Sequence, residues 1–202
     1  MESEPISSGS STGRMPRLFI WASRPRALWA LAALTLISGA AMLPAMSTMA
    51  DHGASLIAFE SAGSVARSQE ILAGWGDPGK TAAWWQLALD TPFLVGYGLF
   101  AAGACAAVAR RAAKVGKPRL GRLATLLAWC GPGAAAADLL QNVSLTLVLS
   151  GQVAQPWPRI AAICGPVTTI LMVLALVFAL AGAIATREAR TVETPRTAGP
   201  DG

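Results

Sequence analysis

The chain has 202 residues, of which 53% are hydrophobic and only 13% charged. A soluble domain carries about 25% charged residues, so this composition excludes an ordinary water-soluble globule and points to lipid as the main solvent. The net charge of +5 does not indicate nucleic acid, because the basic residues sit in short clusters between apolar runs, without the aromatic interleaving of a single-strand binder.

Residues 1–26 are polar and basic, with Ser7-Ser8-Gly9-Ser10-Ser11 followed by Arg14, Arg17, Arg24 and Arg26. This stretch is expected to be disordered and cytoplasmic. A first membrane span is expected over about 27–46. Twenty residues at about 1.5 Å each match a hydrocarbon core of about 30 Å, and the run is longer than the roughly 7–15 apolar residues of a cleaved signal.

An outer loop, 47–83, holds Asp51, His52, Glu60, Arg67, Glu70, Asp77 and Lys80 and is too polar to span. At about 100° per residue, Ile57, Val65, Ile71, Leu72 and Trp75 share one arc with Ser61, Ser64 and Ser68, and Glu60, Arg67 and Glu70 fall beside it. This predicts an amphipathic helix lying on the outer surface or packed over the mouth of the bundle. Trp75-Gly76-Asp77-Pro78-Gly79 is expected to end it.

The second span, about 84–109, opens on an interfacial Trp84-Trp85 pair and contains one charge, Asp90. A basic loop follows, with Arg110, Arg111, Lys114, Lys117, Arg119 and Arg122. The third span, about 123–149, contains Gly131-Pro132-Gly133 and one charge, Asp138. Pro132 is expected to kink or open the helix one turn before Asp138, and Pro166 to do the same in the fourth span, about 160–186. The tail, 187–202, is expected to be disordered.

Thirteen of the sixteen basic residues precede the first span, fill the loop between the second and third, or follow the fourth. Only Arg67, Lys80 and Arg159 lie on the other side. The expected fold is therefore an all-α four-helix transmembrane bundle with an extracytoplasmic amphipathic helix between helices 1 and 2. It is expected to sit multi-pass in the cell inner (plasma) membrane with both termini cytoplasmic. Gly39, Gly96, Gly103, Gly182 and the alanine runs are expected at helix contacts.

Asp90 and Asp138 are the sharpest features, because a carboxylate in hydrocarbon costs at least about 2.5–3.5 kcal/mol. Tyr97 lies two turns after Asp90 on one stripe, and Asn142 one turn after Asp138, with Gln141 beside it. Helices two and three thus predict one cluster, with a proton shared between the two acids. The candidate ligand-binding residues are Asp90, Tyr97, Asp138, Gln141 and Asn142, with Glu60 closing the site from above. The expected ligand is a proton, a cation or a small polar molecule. The competing reading makes these residues glue between helices of an accessory subunit, although interhelical hydrogen bonds average only about 0.6 kcal/mol.

No catalytic residue is expected. GxGxxG, Walker A, HExxH and GxSxG are all absent. One histidine, His52, excludes a bis-histidine haem or a multi-histidine metal site. Cys105, Cys130 and Cys164 sit in separate apolar runs without a CxxC, which argues against a disulfide framework or thiol redox chemistry. Neither cofactor nor metal is expected, and an enzyme is the weaker reading. The expected partners are the lipid bilayer and either another membrane protein or a second copy of the chain.

Phe59-Glu60-Ser61-Ala62-Gly63, then Trp75-Gly76, then Leu89-Asp90-x-x-Phe93-x-x-x-Tyr97, then Asp138-x-x-Gln141-Asn142 resembles a set of small bacterial four-helix integral membrane proteins with no assigned activity. The resemblance covers roughly residues 55–150. It implies a bacterial inner-membrane protein and places Glu60, Asp90, Tyr97, Asp138 and Asn142 in one recurring pattern. Members of the set often carry Glu-Asn where this chain has Gln141-Asn142, so a further acid at that position is missing here.

Overall fold

The structure, a computed structural model, describes residues 15–192. Among these residues the chain is all-helical without a strand. In order come α1 (Arg17–Ala22), α2 (Pro25–Asp51), α3 (Leu56–Glu60), α4 (Val65–Lys114), α5 (Pro118–Leu127), α6 (Cys130–Leu149) and α7 (Trp157–Val192). Four stretches are long and apolar enough to cross a membrane: Pro25–Asp51, Val65–Lys114, Pro118–Leu149 and Trp157–Glu188. The all-α, four-span expectation holds. Leu36 and Ile170, 73% and 65% exposed, belong to an apolar outer surface suited to lipid.

Alternating spans joined by short connections put α3 and the α6–α7 turn at one end of the bundle. The basic α4–α5 loop lies at the other. The two ends are called the α3 end and the basic end below.

Several boundaries differ from expectation. Part of the basic leader is ordered: Phe19 is 3% exposed and Ala22 fully buried. The α1 segment packs on α4 at Gly103, where an added Cβ would sit 2.6 Å from the Ala22 carbonyl oxygen. Pro25 then starts α2, a position where its missing N–H is not needed. At the other terminus α7 runs on to Val192, into the expected tail. The remainder of the two expected disordered segments, 1–14 and 193–202, lies outside the described residues.

The predicted stop at Trp75-Gly76 is an elbow. Gly76 takes φ 55°, ψ −158° inside α4, and the helix resumes at once toward the second span. Only a residue lacking Cβ adopts this conformation readily. The amphipathic segment packs over the mouth of the bundle rather than lying on the outer surface. Ile71, Leu72 and Trp75 join Leu56 and Phe59 in a core with Met49, Leu145 and Val148. Trp75 is fully buried, its Nε1 donates to the Ala54 carbonyl at 2.7 Å, and its ring lies 4.8 Å from that of Phe59. Ile57 leaves the predicted arc and is 67% exposed, because α3 ends at Glu60 before α4 begins.

The Pro132 expectation is shifted. A proline ring clashes with the carbonyl four residues earlier, here that of Ala128. The break between α5 and α6 falls there, at Ala128–Trp129, a full turn before Pro132. Asp138 therefore lies on unbroken helix. Pro166 does not break α7 either.

α4 is the hub and packs against α2, α6 and α7, whereas α2 has no packing seam with α6 or α7. Small residues set the crossings. An added Cβ on Gly96 would lie 2.7 Å from Thr35 Oγ1 of α2, and one on Gly98 would lie 2.9 Å from Ala135 Cβ of α6. Gly131 of α6 meets the Gly98 carbonyl directly. Gly182 of α7 faces Val108 in the same way, and Gly39 of α2 rests on Phe93.

Candidate functional site

The Gly98–Gly131 crossing brings α4 and α6 backbone to backbone one residue from Tyr97. The Cα–Cβ bonds of a helix lean toward its N-terminus. α4 starts at the α3 end and α6 at the basic end, so facing side chains of the two helices lean toward each other. Two polar rungs result. Nearer the α3 end, Asn142 Nδ2 donates to Asp90 Oδ2. One rung deeper, the Tyr97 hydroxyl donates to Asp138 Oδ2 at 2.7 Å. Tyr97 lies two turns beyond Asp90 whereas Asp138 lies about one turn from Asn142, and the length of the phenol makes up the difference.

Glu60 reaches this cluster from the cap. Ser55 caps α3 by accepting from the Ala58 N–H, and Phe59 is clamped on Trp75, which fixes the end of α3 above the rungs. Burial, and then the negative charges of Asp138 and Asp90, push the Glu60 carboxyl up to about 7; hydrogen bonding from Gln141 offsets part of this. Gln141 is itself 3% exposed.

These groups surround one end of a cavity of about 1050 Å³ between α2, α4, α6 and α7. Five of the six residues singled out in the sequence line it: Glu60, Asp90, Tyr97, Asp138 and Gln141. Asn142 does not line it and instead bonds Asp90. Thus the structure brings all six together. Among the described residues no lysine, arginine or histidine lines the cavity. Each of the three carboxylates has one neutral donor from the protein, respectively Gln141, Asn142 and Tyr97. None has a cation.

The three carboxylates are spread over the cavity end. Among the described residues no group of three histidine, cysteine or acidic side chains converges tightly enough to hold a metal ion.

Nothing in the sequence marks the rest of the lining. Thr35 and Ala32 come from α2, Phe93 and Phe100 from α4, and Thr168 and Met172 from α7. These are ordinary span residues, and only the gap between α2 and α7 makes them a wall. Gln86 was also missed. It lies one turn before Asp90, is 4% exposed, and its side-chain oxygen has no hydrogen-bond partner among the described residues. A glutamine four residues from an acid inside an apolar run is a signal legible in the sequence.

Compared with known proteins, the chain matches no family model, no curated protein sequence and no solved structure.

Proposed function

We propose that this is a multi-pass membrane protein that binds a proton or a positively charged ligand at the carboxylate cluster of Glu60, Asp90 and Asp138. One observation carries the reading: three acids face a roomy cavity, each with a neutral donor and, among the described residues, none with a basic partner. Charge balance there has to come from bound protons or from a cation. Tyr97, Gln141 and Asn142 hold the acids in place and leave further acceptor lone pairs toward the cavity. The spread of the acids favours protons or an organic cation over a bare metal ion.

The accessory-subunit reading has less support. Residues acting only as glue fill a helix seam, whereas this cluster borders open space. The excess of basic residues at one end favours an orientation with that end in the cytoplasm, which places the acids in the opposite half of the membrane.

The test is thermal stability of the purified, detergent-solubilised protein from about pH 4 to about pH 9, comparing wild type with Asp90→Asn and Asp138→Asn. Asparagine keeps the acceptor oxygen of each rung and removes the charge. Wild type is expected to melt pH-dependently and either variant to flatten that dependence. Identical curves for all three proteins would overturn the reading.

A further inference from the structure

The walls of the cavity say what kind of cation it takes. Apart from the acids, Tyr97, Gln141 and the hydroxyls of Thr35, Ser61, Thr168 and Thr169, they are apolar, with Leu36 from α2, Phe93 and Phe100 from α4, and Met172, Val173 and Leu176 from α7. A site for a small hydrated ion has no use for such walls, because desolvating an ion against them is costly.

The cavity is also open on its flank. Leu36, Ile170 and Val173 line it while being 73%, 65% and 55% exposed, so its walls run into the lipid-facing surface. α2 and α7, which bound the opening, do not pack on each other. Along α7 the lining runs from Ala161 to Leu176, fifteen residue steps. At about 1.5 Å per residue this is about 22 Å of helix, more than half of a hydrocarbon core of about 30 Å.

Polarity is ordered along that length. Glu60 and Asp90 lie toward the α3 end, Asp138 lies one rung deeper, eleven residue steps from the end of α6, and the apolar wall of Phe100, Met172 and Leu176 continues from there toward the basic end. A membrane amphiphile has the same order, head at the surface and tail inward. Phe93 and Tyr97, with ring centroids 5.3 Å apart, border the acids, and aromatic faces attract cations.

We propose that the cavity takes an amphiphile with an ammonium head and a long apolar tail, which passes sideways from the bilayer between α2 and α7. The head lies among Glu60, Asp90 and Asp138, and the tail runs along α7 toward Leu176. This rests on the carboxylate site proposed above and adds the ligand class and its route. The ammonium belongs either to a lipid head group or to a free single-chain amine.

The experiment is displacement of a fluorescent alkylammonium probe from the full-length protein in a neutral detergent. Competitors are hexadecylamine, hexadecanol and butylamine, followed by phosphatidylethanolamine against phosphatidylcholine. Hexadecylamine is expected to compete at least roughly tenfold better than either the matched alcohol or the short amine, about 1.4 kcal/mol or more. Asp90→Asn and Asp138→Asn should weaken it similarly. Ala32→Phe and Val173→Trp, which narrow the cavity from opposite walls, should weaken hexadecylamine while leaving the pH dependence of melting intact. Val173 is exposed, so its variant keeps the test alive where Ala32→Phe fails to fold.

Competition by phosphatidylethanolamine supports the proposal with a lipid head group as the source, and competition by the single-chain amine alone supports it with a free amphiphile. Butylamine competing as well as hexadecylamine, unaffected by the wall variants, would overturn the amphiphile and leave the carboxylate site standing. Hexadecanol matching hexadecylamine would overturn head-group recognition. No displacement by any compound would also overturn the proposal, and the pH series then judges the carboxylate site separately.

Discussion

Tyr97 and Asp138 are joined across the α4–α6 crossing by a 2.7 Å hydrogen bond from the phenol to the carboxylate. The sequence places them 41 residues apart on antiparallel helices, and the close contact of Gly98 with Gly131 makes the reach possible. Tyr97→Phe removes the bond and keeps the ring packing on Phe93. Hydrogen bonds between membrane helices average about 0.6 kcal/mol and reach about 1.7, so a loss in that range is expected. Denaturation by a harsh detergent in mixed micelles measures it, and an unchanged midpoint would show that the rung contributes nothing to stability.

The glycines of α6 are not equivalent. A Cβ on Gly131 collides with the Gly98 carbonyl, whereas one on Gly133 meets Leu171 Cδ1 at an ordinary 3.5 Å. Gly131→Ala is expected to destabilise by about 1–3 kcal/mol, as overpacking does. Gly133→Ala is expected to be neutral or stabilising by up to about 1 kcal/mol through helix propensity. Equal melting temperatures for the two variants would mean that the crossing is looser than the structure places it.

Glu60 gives stability a pH dependence of defined sign. Its carboxyl titrates near 7 in the folded protein against an ordinary 4.5. The folded state therefore binds more protons than the unfolded state between those values, and stability falls as pH rises through them. The stabilisation is complete below about pH 4.5 and lost above about pH 7. The two and a half pH units correspond to about 3 kcal/mol at most. The charges facing Glu60 are Asp90 and Asp138, and no basic group lines the cavity. Glu60→Gln should remove this part of the slope, raising the melting temperature near pH 8 relative to wild type; a steeper slope in the variant would contradict the assignment.

Gln86 offers a test in the opposite direction. Its amide oxygen is buried without a partner among the described residues, and such an acceptor costs about 1–3 kcal/mol. Gln86→Met, similar in volume and without the polar atoms, is expected to raise the melting temperature. A fall would mean that the amide is engaged with a group other than those described.

Trp75→Phe should loosen the cap. It keeps an aromatic ring for Phe59 and leaves the Ala54 carbonyl without its 2.7 Å donor, at a cost of about 1–3 kcal/mol. Because the Trp75–Phe59 contact holds the end of α3, limited proteolysis is expected to cut first between residues 60 and 65.

The spans were readable because twenty apolar residues in a row leave the backbone little choice in lipid. The cluster was readable because two lone acids in such runs have to meet something polar, and helical spacing named Tyr97 and Asn142 as their neighbours. Which partner goes with which acid was not readable. The rungs are crossed, Asp90 with Asn142 and Tyr97 with Asp138, and that depends on the stagger set at Gly98. The elbow at Gly76 reads in the sequence as an end because a glycine two residues before a proline signals both. The cavity itself left no trace, since its walls are made of residues that any lipid-facing helix carries.

The seam that holds α2 to the other spans, running along α4 past Gly96 and Phe93, has a mechanical consequence. Helices accommodate a bilayer thicker or thinner than themselves chiefly by tilting. α6 and α7 are braced by each other and by α4, but α2 leans on α4 alone among the spans. A change in bilayer thickness thus acts first on the aperture beside α2, before it disturbs the register of the acids. The protein is built with one compliant wall and three stiff ones.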